Sequence, residues 1–144
     1  VFTCKFSDEV ILTAAVLRIG SGESVIDNFC AGGIVCAVDL MSGIVMDDAE
    51  DRYGNRYVEH PFSRKPFKGF RIPLWDEVVC MVQECAKNYC INAAAWDIAV
   101  RETDCALVEV NTIGDINVCQ IAGNGGKKEL YKKLYKRALK SVRN

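Results

Sequence analysis

Two short apolar segments decide the fold of this chain: Trp96-Asp97-Ile98-Ala99-Val100 and Leu107-Val108-Glu109-Val110-Asn111-Thr112. The polar stretch 101–105 between them is typical of a turn and is flanked by β-branched residues, so the pair predicts a β-hairpin. Asp97, Glu109 and Asn111 interrupt the apolar pattern with oxygen-bearing side chains. Strand interiors are depleted in Asp and Asn, so their presence requires a reason.

The register of this hairpin determines whether the three side chains can meet. Glu109 and Asn111 are two residues apart, so on a strand they point to the same face. Directly opposed residues of an antiparallel pair also share a face, and a slip of one residue moves every side chain to the other face. Asp97 therefore joins the other two only if the loop has an odd number of residues, for example 102–104, and we expect such a loop.

A metal site is one interpretation of these three side chains. Carboxylate and amide oxygens are hard ligands, of the kind that hold Mg²⁺ beside a nucleotide phosphate. The alternative is that Asp97, Glu109 and Asn111 are polar residues at the exposed edge of a sheet. Val108 and Val110 indicate one buried face, whereas Glu109 and Asn111 interrupt the opposite face as a pair. We therefore favour the metal site.

Composition and cysteine usage indicate a globular protein of the cytoplasm. The chain has 144 residues, of which 50% are hydrophobic and 26% charged, which suits one soluble domain, 1–144. It contains no apolar stretch long enough for a membrane span and does not open with a signal peptide. The eight cysteines form no C-x-x-C pair, and His60 is the only histidine, so a zinc site is poorly supported. Most cysteines lie in apolar runs, which predicts buried, reduced thiols without disulfides.

The order of predicted elements indicates an α+β fold. Strands are predicted at 1–6, 10–19 and 33–39, followed by a long polar loop from 47 to 71. A helix is expected to begin at Pro73 and to end near 88–90, because its apolar residues recur every three or four positions. The hairpin comes next, and a basic helix from about Lys127 closes the chain. This order favours a mainly antiparallel sheet with flanking helices.

Arg18 is a candidate phosphate ligand. It lies at the end of an apolar strand, where it is either an edge residue that reaches solvent or a cation directed at phosphate, for which guanidinium geometry is suited. The spacing alone leaves both interpretations open. The nearby sequence Gly20-Ser21-Gly22-Glu23-Ser24 lacks the Gly-Lys-Ser/Thr ending of a phosphate loop, and no helical pattern follows it, so we reject that motif. A lone loop histidine such as His60 is usually only exposed.

The C-terminal segment 127–144 is strongly basic. It contains eight basic residues and one acidic residue, a net charge of +7 within a chain of net charge −1. Such a helix could bind nucleic acid, with Tyr131 and Tyr135 stacking on bases. The alternative is a solvated helix face whose lysines complement the helix dipole. Because no base-reading motif accompanies the charge, we expect no nucleic-acid partner.

The sequence resembles the ATP-grasp ligases, and most closely the sugar-transfer-associated ATP-grasp family. The hairpin with Asp97, Glu109 and Asn111 carries the general resemblance. The closer one is carried by an ordered series of motifs: Leu17-Arg18-Ile19-Gly20, Asp27-Asn28, Gly32-Gly33-Ile34, Ser42-Gly43, His60-Pro61 and Gly69-Phe70-Arg71-Ile72-Pro73-Leu74-Trp75. The resemblance runs from the first strands to Gly126.

This resemblance implies an ATP-dependent carboxylate–amine (or similar) ligase that proceeds through an acyl phosphate. Asp97, Glu109 and Asn111 would hold one or two Mg²⁺ ions, Arg18 would steady the transferred phosphate, and Asn28 would face the phosphates. The implied partners are ATP and a small-molecule or glycan-linked carboxylate. The family name points to cell-surface polysaccharide modification.

The resemblance covers only the C-terminal half of an ATP-grasp domain, so we expect this chain to be part of a longer protein. The half that would carry the nucleotide-clamping lysine is expected to precede it, and this chain alone is expected to be inactive. Two alternatives remain. One is a degenerate, non-catalytic ATP-grasp-like binding module, and the other is a nucleic-acid binder that uses the basic helix.

Overall fold

The computed structural model describes residues 1–7, 9–22, 29, 32–112, 114–121 and 123–141. The chain divides into two compact units. Unit 1 comprises Val1–Thr13, Asp76–Gly114 and Gly126–Asn144, and unit 2 comprises Ala14–Trp75 and Asp115–Gly125. The fold is α+β with two four-stranded antiparallel sheets and two helices among the described residues, so the predicted class is confirmed.

The elements follow one another along the chain in an order close to the predicted one. They are β1 (Phe2–Phe6), β2 (Glu9–Ala14), β3 (Val16–Ile19), β4 (Ile34–Ala37), β5 (Ala49–Glu50), β6 (Arg56–Tyr57), α1 (Trp75–Asn88), β7 (Ala93–Val100), β8 (Cys105–Asn111) and α2 (Lys128–Ser141). Unit 1 has the strand order β2-β1-β7-β8, and unit 2 has the order β3-β4-β5-β6. Neither helix is long and apolar enough to cross a membrane, a finding that covers only the part of the chain the structure describes.

Apolar packing of α1 against the sheet forms the core of unit 1. Val82 and Ala86 of α1 lie in one buried cluster with Ala94 and Trp96 of β7. The Trp96 side chain is only 1% exposed, and its indole N–H donates a hydrogen bond of 2.7 Å to the buried hydroxyl of Thr3. The cluster forms because the apolar stripe of an amphipathic helix meets the inward-facing residues of a strand.

The second helix of unit 1 contacts the opposite face of the sheet. Along β2, Val10 packs against the α1 cluster, so Glu9 and Thr13 point to the other face. Arg137 of α2 forms an ion pair with Glu9, and the hydroxyl of Tyr131 lies 3.2 Å from that of Thr13. Unit 1 therefore has three layers: α1, the sheet and α2.

Unit 2 has shorter strands, and its turns are fastened by polar side chains. The carboxylate of Asp39 accepts hydrogen bonds from the amide and hydroxyl groups of Ser42 at 2.8 and 2.7 Å. The buried carboxylate of Asp51 accepts hydrogen bonds from Asn55 and Tyr57 and thereby closes the β5–β6 hairpin. All four residues of β4 are buried, so this strand forms the centre of the unit.

The prediction of a single strand over 10–19 is wrong. The apolar run is continuous, but β2 ends at Ala14 and β3 begins at Val16, and the two strands belong to different sheets. The break lies at Ala15, whose carbonyl accepts hydrogen bonds from the amide of Val38 and the side chain of Asn124, both at 3.0 Å. These are long-range partners, which the hydropathy of the run does not reveal.

Two further boundary predictions need correction. The segment 47–71 is not an unstructured loop, because it contains β5 and β6 and an isolated bridge between Glu59 and Pro66. Helix α1 begins at Trp75 rather than at Pro73, since Leu74 has a φ of 53°, outside the helical region. The predicted helical end near 88 and the basic C-terminal helix are both confirmed.

The cysteines are less buried than predicted. The described residues include seven of the eight, all free thiols, and Cys30 lies outside them. Only Cys4, Cys36 and Cys119 are buried, whereas Cys80 and Cys90 are exposed on or just after α1. Burial raises the pKa of the Cys36 thiol to about 12, so this thiol stays protonated and behaves as a small apolar side chain.

Candidate functional site

The register of the β7–β8 hairpin brings the predicted metal ligands to one face. Asp97 lies directly opposite Glu109, and Ala95 lies opposite Asn111. Because opposed residues and residues two apart share a face, Asp97, Glu109 and Asn111 lie together on one side of the sheet. The prediction that they share a face is therefore confirmed, and their role as ligands stays a prediction.

The hairpin reaches this register with an even turn and a β-bulge instead of the predicted odd turn. Val100 pairs with Cys105, so the loop comprises the four residues 101–104, an even number, and the predicted odd loop is wrong. A register shift follows, because Ile98 pairs with Leu107 while Asp97 pairs with Glu109. Val108 is thus the extra residue of a β-bulge, which restores the alignment that the turn alone would lose. Val108 is also 65% exposed, so it does not mark a buried face.

A charged pair closes the turn of the hairpin. The guanidinium of Arg101 donates to both carboxylate oxygens of Asp104, at 2.5 and 2.6 Å, and the amide of Arg101 donates to the Asp104 carbonyl at 2.9 Å. The hydrogen bond and charge of Asp104 raise the pKa of Arg101 above its ordinary value. Both side chains are exposed, so this pair defines the turn rather than contributing much stability.

The three predicted ligands lie on the face that α1 does not cover. Trp96 and Val110 pack into the α1 cluster, and Asp97 and Glu109 alternate with them along the strands. Asp97 is half-buried, whereas Glu109 and Asn111 are exposed. The amide nitrogen of Asn111 donates to Glu109 Oε1 at 2.9 Å, which orients the carboxylate and leaves the amide oxygen of Asn111 for another partner.

Gly114 adds a feature that sequence reasoning missed. A Cβ atom at this position would lie 2.7 Å from the Cβ of Ala95 and 3.0 Å from the ring of Phe2, so only glycine fits. Both neighbours belong to the same face as Asp97, because Phe2 pairs with Ala95 and Ala95 is two residues from Asp97. The chain that leaves β8 therefore packs closely beside the candidate ligands. A glycine soon after a strand was the available signal.

This donor set fits Mg²⁺. Two carboxylates and one amide oxygen supply part of an octahedral shell of hard ligands, and phosphate oxygens and water normally complete it. No group of three or more His, Cys, Asp or Glu side chains suited to a metal occurs among the described residues. The cluster on the hairpin has only two such side chains, so it relies on Asn111 and on ligands from outside the protein.

Arg18 lies in unit 2, on strand β3. It pairs with Val35 of β4, and its side chain is exposed. The same row continues through Glu50 of β5 to Arg56 of β6, so these residues lie side by side across the sheet. The phosphate-binding role of Arg18 stays a prediction. Asn28, the other predicted phosphate contact, lies outside the described residues.

His60 has a structural role in unit 2. Its Nδ1 accepts hydrogen bonds from the amides of Phe62 and Ser63, at 3.2 and 3.1 Å. Its Nε2 lies 2.8 Å from the carbonyl oxygen of Gly20, and since Nδ1 acts as an acceptor, Nε2 carries the proton. His60 is half-buried rather than simply exposed, and it fastens its own turn to the residue that follows β3.

Comparison with protein families identifies the family of the chain. The model of the family described as sugar-transfer associated ATP-grasp matches residues 1–136, which include all of unit 2, unit 1 except residues 137–144, Arg18 and the complete β7–β8 hairpin. Searches of curated proteins and of solved structures gave no match. Because the family model covers nearly the whole sequence, the chain belongs to the sugar-transfer associated ATP-grasp family.

Proposed function

We propose that the chain is the metal- and phosphate-binding half of an ATP-dependent carboxylate–amine (or similar) ligase. Family membership supports an ATP-dependent, ligase-like activity. The observation that carries the finer proposal is the direct pairing of Asp97 with Glu109, with Asn111 on the same face. A bulge maintains this alignment although the turn has an even number of residues, and bulges often occur next to active sites, where they re-aim side chains.

Each candidate residue has a distinct role in this proposal. Asp97, Glu109 and Asn111 hold Mg²⁺, which when bound neutralises phosphate charge and orients the nucleotide. Asn111 also keeps the Glu109 carboxylate in place through its amide nitrogen. Arg18 binds the phosphoryl group as it is transferred, since a guanidinium can donate two parallel hydrogen bonds to phosphate oxygens. Asn28 contacts the phosphates through its amide.

The proposed reaction has two steps. A carboxylate oxygen of the substrate attacks the γ-phosphorus of ATP, the bond to the bridging oxygen breaks, and an acyl phosphate and ADP result. An amine nitrogen then attacks the acyl carbon, inorganic phosphate leaves, and the amine loses a proton. Most of the catalytic effect comes from positioning and from stabilisation of phosphate charge, because phosphoryl transfer requires little else from a protein.

The proposed substrate is a small-molecule or glycan-linked carboxylate, and the proposed setting is cell-surface polysaccharide modification carried out from the cytoplasm. The description of the family as sugar-transfer associated supports this assignment. The acceptor can be identified by offering the intact protein a panel of carboxylates and amines and measuring ATP-dependent phosphate release.

Glu109→Gln in the intact protein tests the metal site. The substitution keeps the shape of the side chain but removes a charge, so we expect turnover to fall on the order of 100-fold or more, since a catalytic metal supplies several kcal/mol of charge stabilisation. Folding should be nearly unchanged because Glu109 is exposed. Glu102→Gln is the matched control: it removes the same charge from the turn of the same hairpin, and it should leave turnover unchanged.

Normal turnover of Glu109→Gln at saturating Mg²⁺ would contradict the proposal and would favour a non-catalytic nucleotide-binding module. Arg18→Ala provides a second test. We expect this variant to slow phosphate transfer more than it weakens ATP binding, because Arg18 acts mainly on the transition state. Arg64→Ala removes an exposed arginine elsewhere in unit 2 and serves as its control.

A further inference from the structure

The two sides of helix α2 differ in their contacts. Its inner side is anchored to the sheet of unit 1: Leu134 is buried, Tyr131 meets Thr13, and Arg137 pairs with Glu9. The guanidinium of Arg137 also lies over the ring of Phe6, 5.1 Å from its centroid. The only arginine that the structure describes in α2, and one of its two tyrosines, are therefore engaged within the protein.

The outer side of α2 carries a row of lysines that turns gradually around the helix. Lys128, Lys132, Lys136 and Lys140 are four residues apart and all exposed, and Lys133 lies next to the row. At a rise of 1.5 Å per residue the row is about 18 Å long. Lys132 shares a weak, exposed contact of 3.7 Å with Glu129. Among the residues described, the other four lysines have no ion-pair partner.

Two large side chains border this row without being buried. Tyr135 is 65% exposed and Leu139 is 42% exposed, and they are four residues apart, so they follow one another along the helix. Aromatic and aliphatic side chains together with lysines also occur on helices that lie at a membrane interface.

We propose that the outer side of α2 docks on the surface of a bilayer that contains anionic lipids. The row turns by about 40° per step, so its four lysines stay within about one third of the helix circumference. Each basic residue close to such a surface contributes about 1 kcal/mol. Tyr135 and Leu139 then enter the headgroup region. This is contact with one leaflet and differs from a membrane span, for which neither helix is suited.

The structure favours lipid over nucleic acid as the occupant. Bidentate phosphate recognition favours arginine, and Arg137 is already paired with Glu9. Stacking on bases requires exposed aromatic side chains, and because Tyr131 is held at Thr13, Tyr135 is the one tyrosine of α2 left for stacking. The outer side offers lysines, which act as point charges, together with one aliphatic side chain that suits acyl chains better than bases.

Co-sedimentation of the intact protein with lipid vesicles tests this inference. We expect binding to vesicles of phosphatidylcholine with phosphatidylglycerol, but not to phosphatidylcholine alone. The double substitution Lys136→Gln and Lys140→Gln should weaken binding roughly 30-fold, from about 1 kcal/mol per lysine and 1.4 kcal/mol per factor of ten. Glutamine has nearly the helix propensity of lysine, so α2 should remain intact. The matched control, Lys65→Gln with Lys87→Gln, removes two exposed lysines elsewhere and should leave binding unchanged.

Leu139→Ser separates the apolar contribution from the ionic one. It should reduce the binding that remains at high salt, where the charges are screened. Equal binding to neutral and anionic vesicles, no binding at all, or an equal loss in the lysine control would overturn the inference. Tighter binding to a single-stranded RNA oligonucleotide than to anionic vesicles would replace the lipid by a nucleic acid.

Discussion

In unit 1 the sheet is covered by a helix whose apolar stripe packs against β7, whereas in unit 2 the turns between short strands are held by Asp39, Asp51 and His60. The first arrangement depends on the volume and hydrophobicity of buried side chains. The second depends on a few carboxylate and imidazole acceptors whose positions are fixed by the backbone around them. Different substitutions should therefore damage the two units.

The two units show that a sheet can be stabilised either by apolar packing against its face or by hydrogen bonds within its turns. Burial of a helix face is non-directional, so conservative apolar changes are tolerated as long as volume is kept. A carboxylate that accepts several amide hydrogen bonds is directional, and it responds to charge and to pH. The two tryptophans of the chain allow this to be measured, since Trp96 lies in unit 1 and Trp75 in unit 2.

Replacement of Trp96 by alanine should have the largest effect. It removes the main buried aromatic side chain of unit 1 and leaves the Thr3 hydroxyl without its partner, so we expect a loss of about 3–5 kcal/mol in the free energy of unfolding. Urea unfolding monitored by the circular dichroism signal of the helices measures this loss of stability, because the helices lie almost entirely in unit 1. Trp96→Phe keeps most of the volume and should lose less. Equal losses of stability in Trp96→Ala and Trp96→Phe would show that the hydrogen bond from Trp96 to Thr3, and not the packing of the ring, stabilises this unit.

Gly43 should be the most sensitive turn position of unit 2. It has a φ of 70°, and a Cβ atom there would lie 2.3 Å from Cγ of Trp75. Gly43→Ala should therefore cost about 1–2 kcal/mol for its backbone and a further 1–3 kcal/mol for overpacking. Gly69→Ala is the control, because Gly69 has a φ of 86° but open space around it, so only the backbone cost should appear. Trp75 fluorescence in a Trp96→Phe background reports the result. Equal losses of stability in Gly43→Ala and Gly69→Ala would show that the close approach of Gly43 to Trp75 is unimportant.

The Asp51 hairpin should make unit 2 sensitive to acid, with a smaller effect. Burial raises the pKa of Asp51, but hydrogen bonds from Asn55, Tyr53 and Tyr57 together lower it below the ordinary value of 3.8. The folded state thus binds this proton more weakly than the unfolded state. The resulting stability is complete above pH 3.8 and is lost as the pH falls through the folded pKa.

The difference in stability between wild type and Asp51→Asn should accordingly be constant at neutral pH and should shrink below pH 3.8. Tyr57→Phe removes one of the donors and should give a smaller difference with the same pH dependence. Urea unfolding followed by Trp75 fluorescence at several pH values measures both. A difference that grows on acidification would contradict the assigned sign.

Much of unit 1 could be predicted from the sequence, because its signals are periodic. The stripe of α1 and the alternation in β7 and β8 extend over many residues, and each repeats the same information. The shared face of Asp97, Glu109 and Asn111 was predicted from spacing, but the bulge at Val108 was not. Turn length and bulges both change the register, and an even turn with one bulge gives the same pairing of Asp97 with Glu109 as an odd turn without a bulge.

Unit 2 could be predicted less well, because its structure depends on contacts that are distant in sequence or specific to one atom. The apolar run 10–19 gives no sign that Ala15 separates two sheets, since its partners Val38 and Asn124 are far away in the chain. The β5–β6 hairpin lies in a polar segment without alternation and is formed around one aspartate, Asp51. Hydropathy patterns do not detect such elements.

The bulge at Val108 also determines how this hairpin can change in length during evolution. If Val108 were lost, Ile98 would still pair with Leu107 and Asp97 with Glu109, now in a regular ladder. Insertions or deletions within 101–104 would likewise change only the turn. An insertion between Glu109 and Asn111, in contrast, would place these two side chains on opposite faces. Length variation among natural versions of this hairpin should therefore occur on the turn side of Glu109 and be excluded from the segment 109–111.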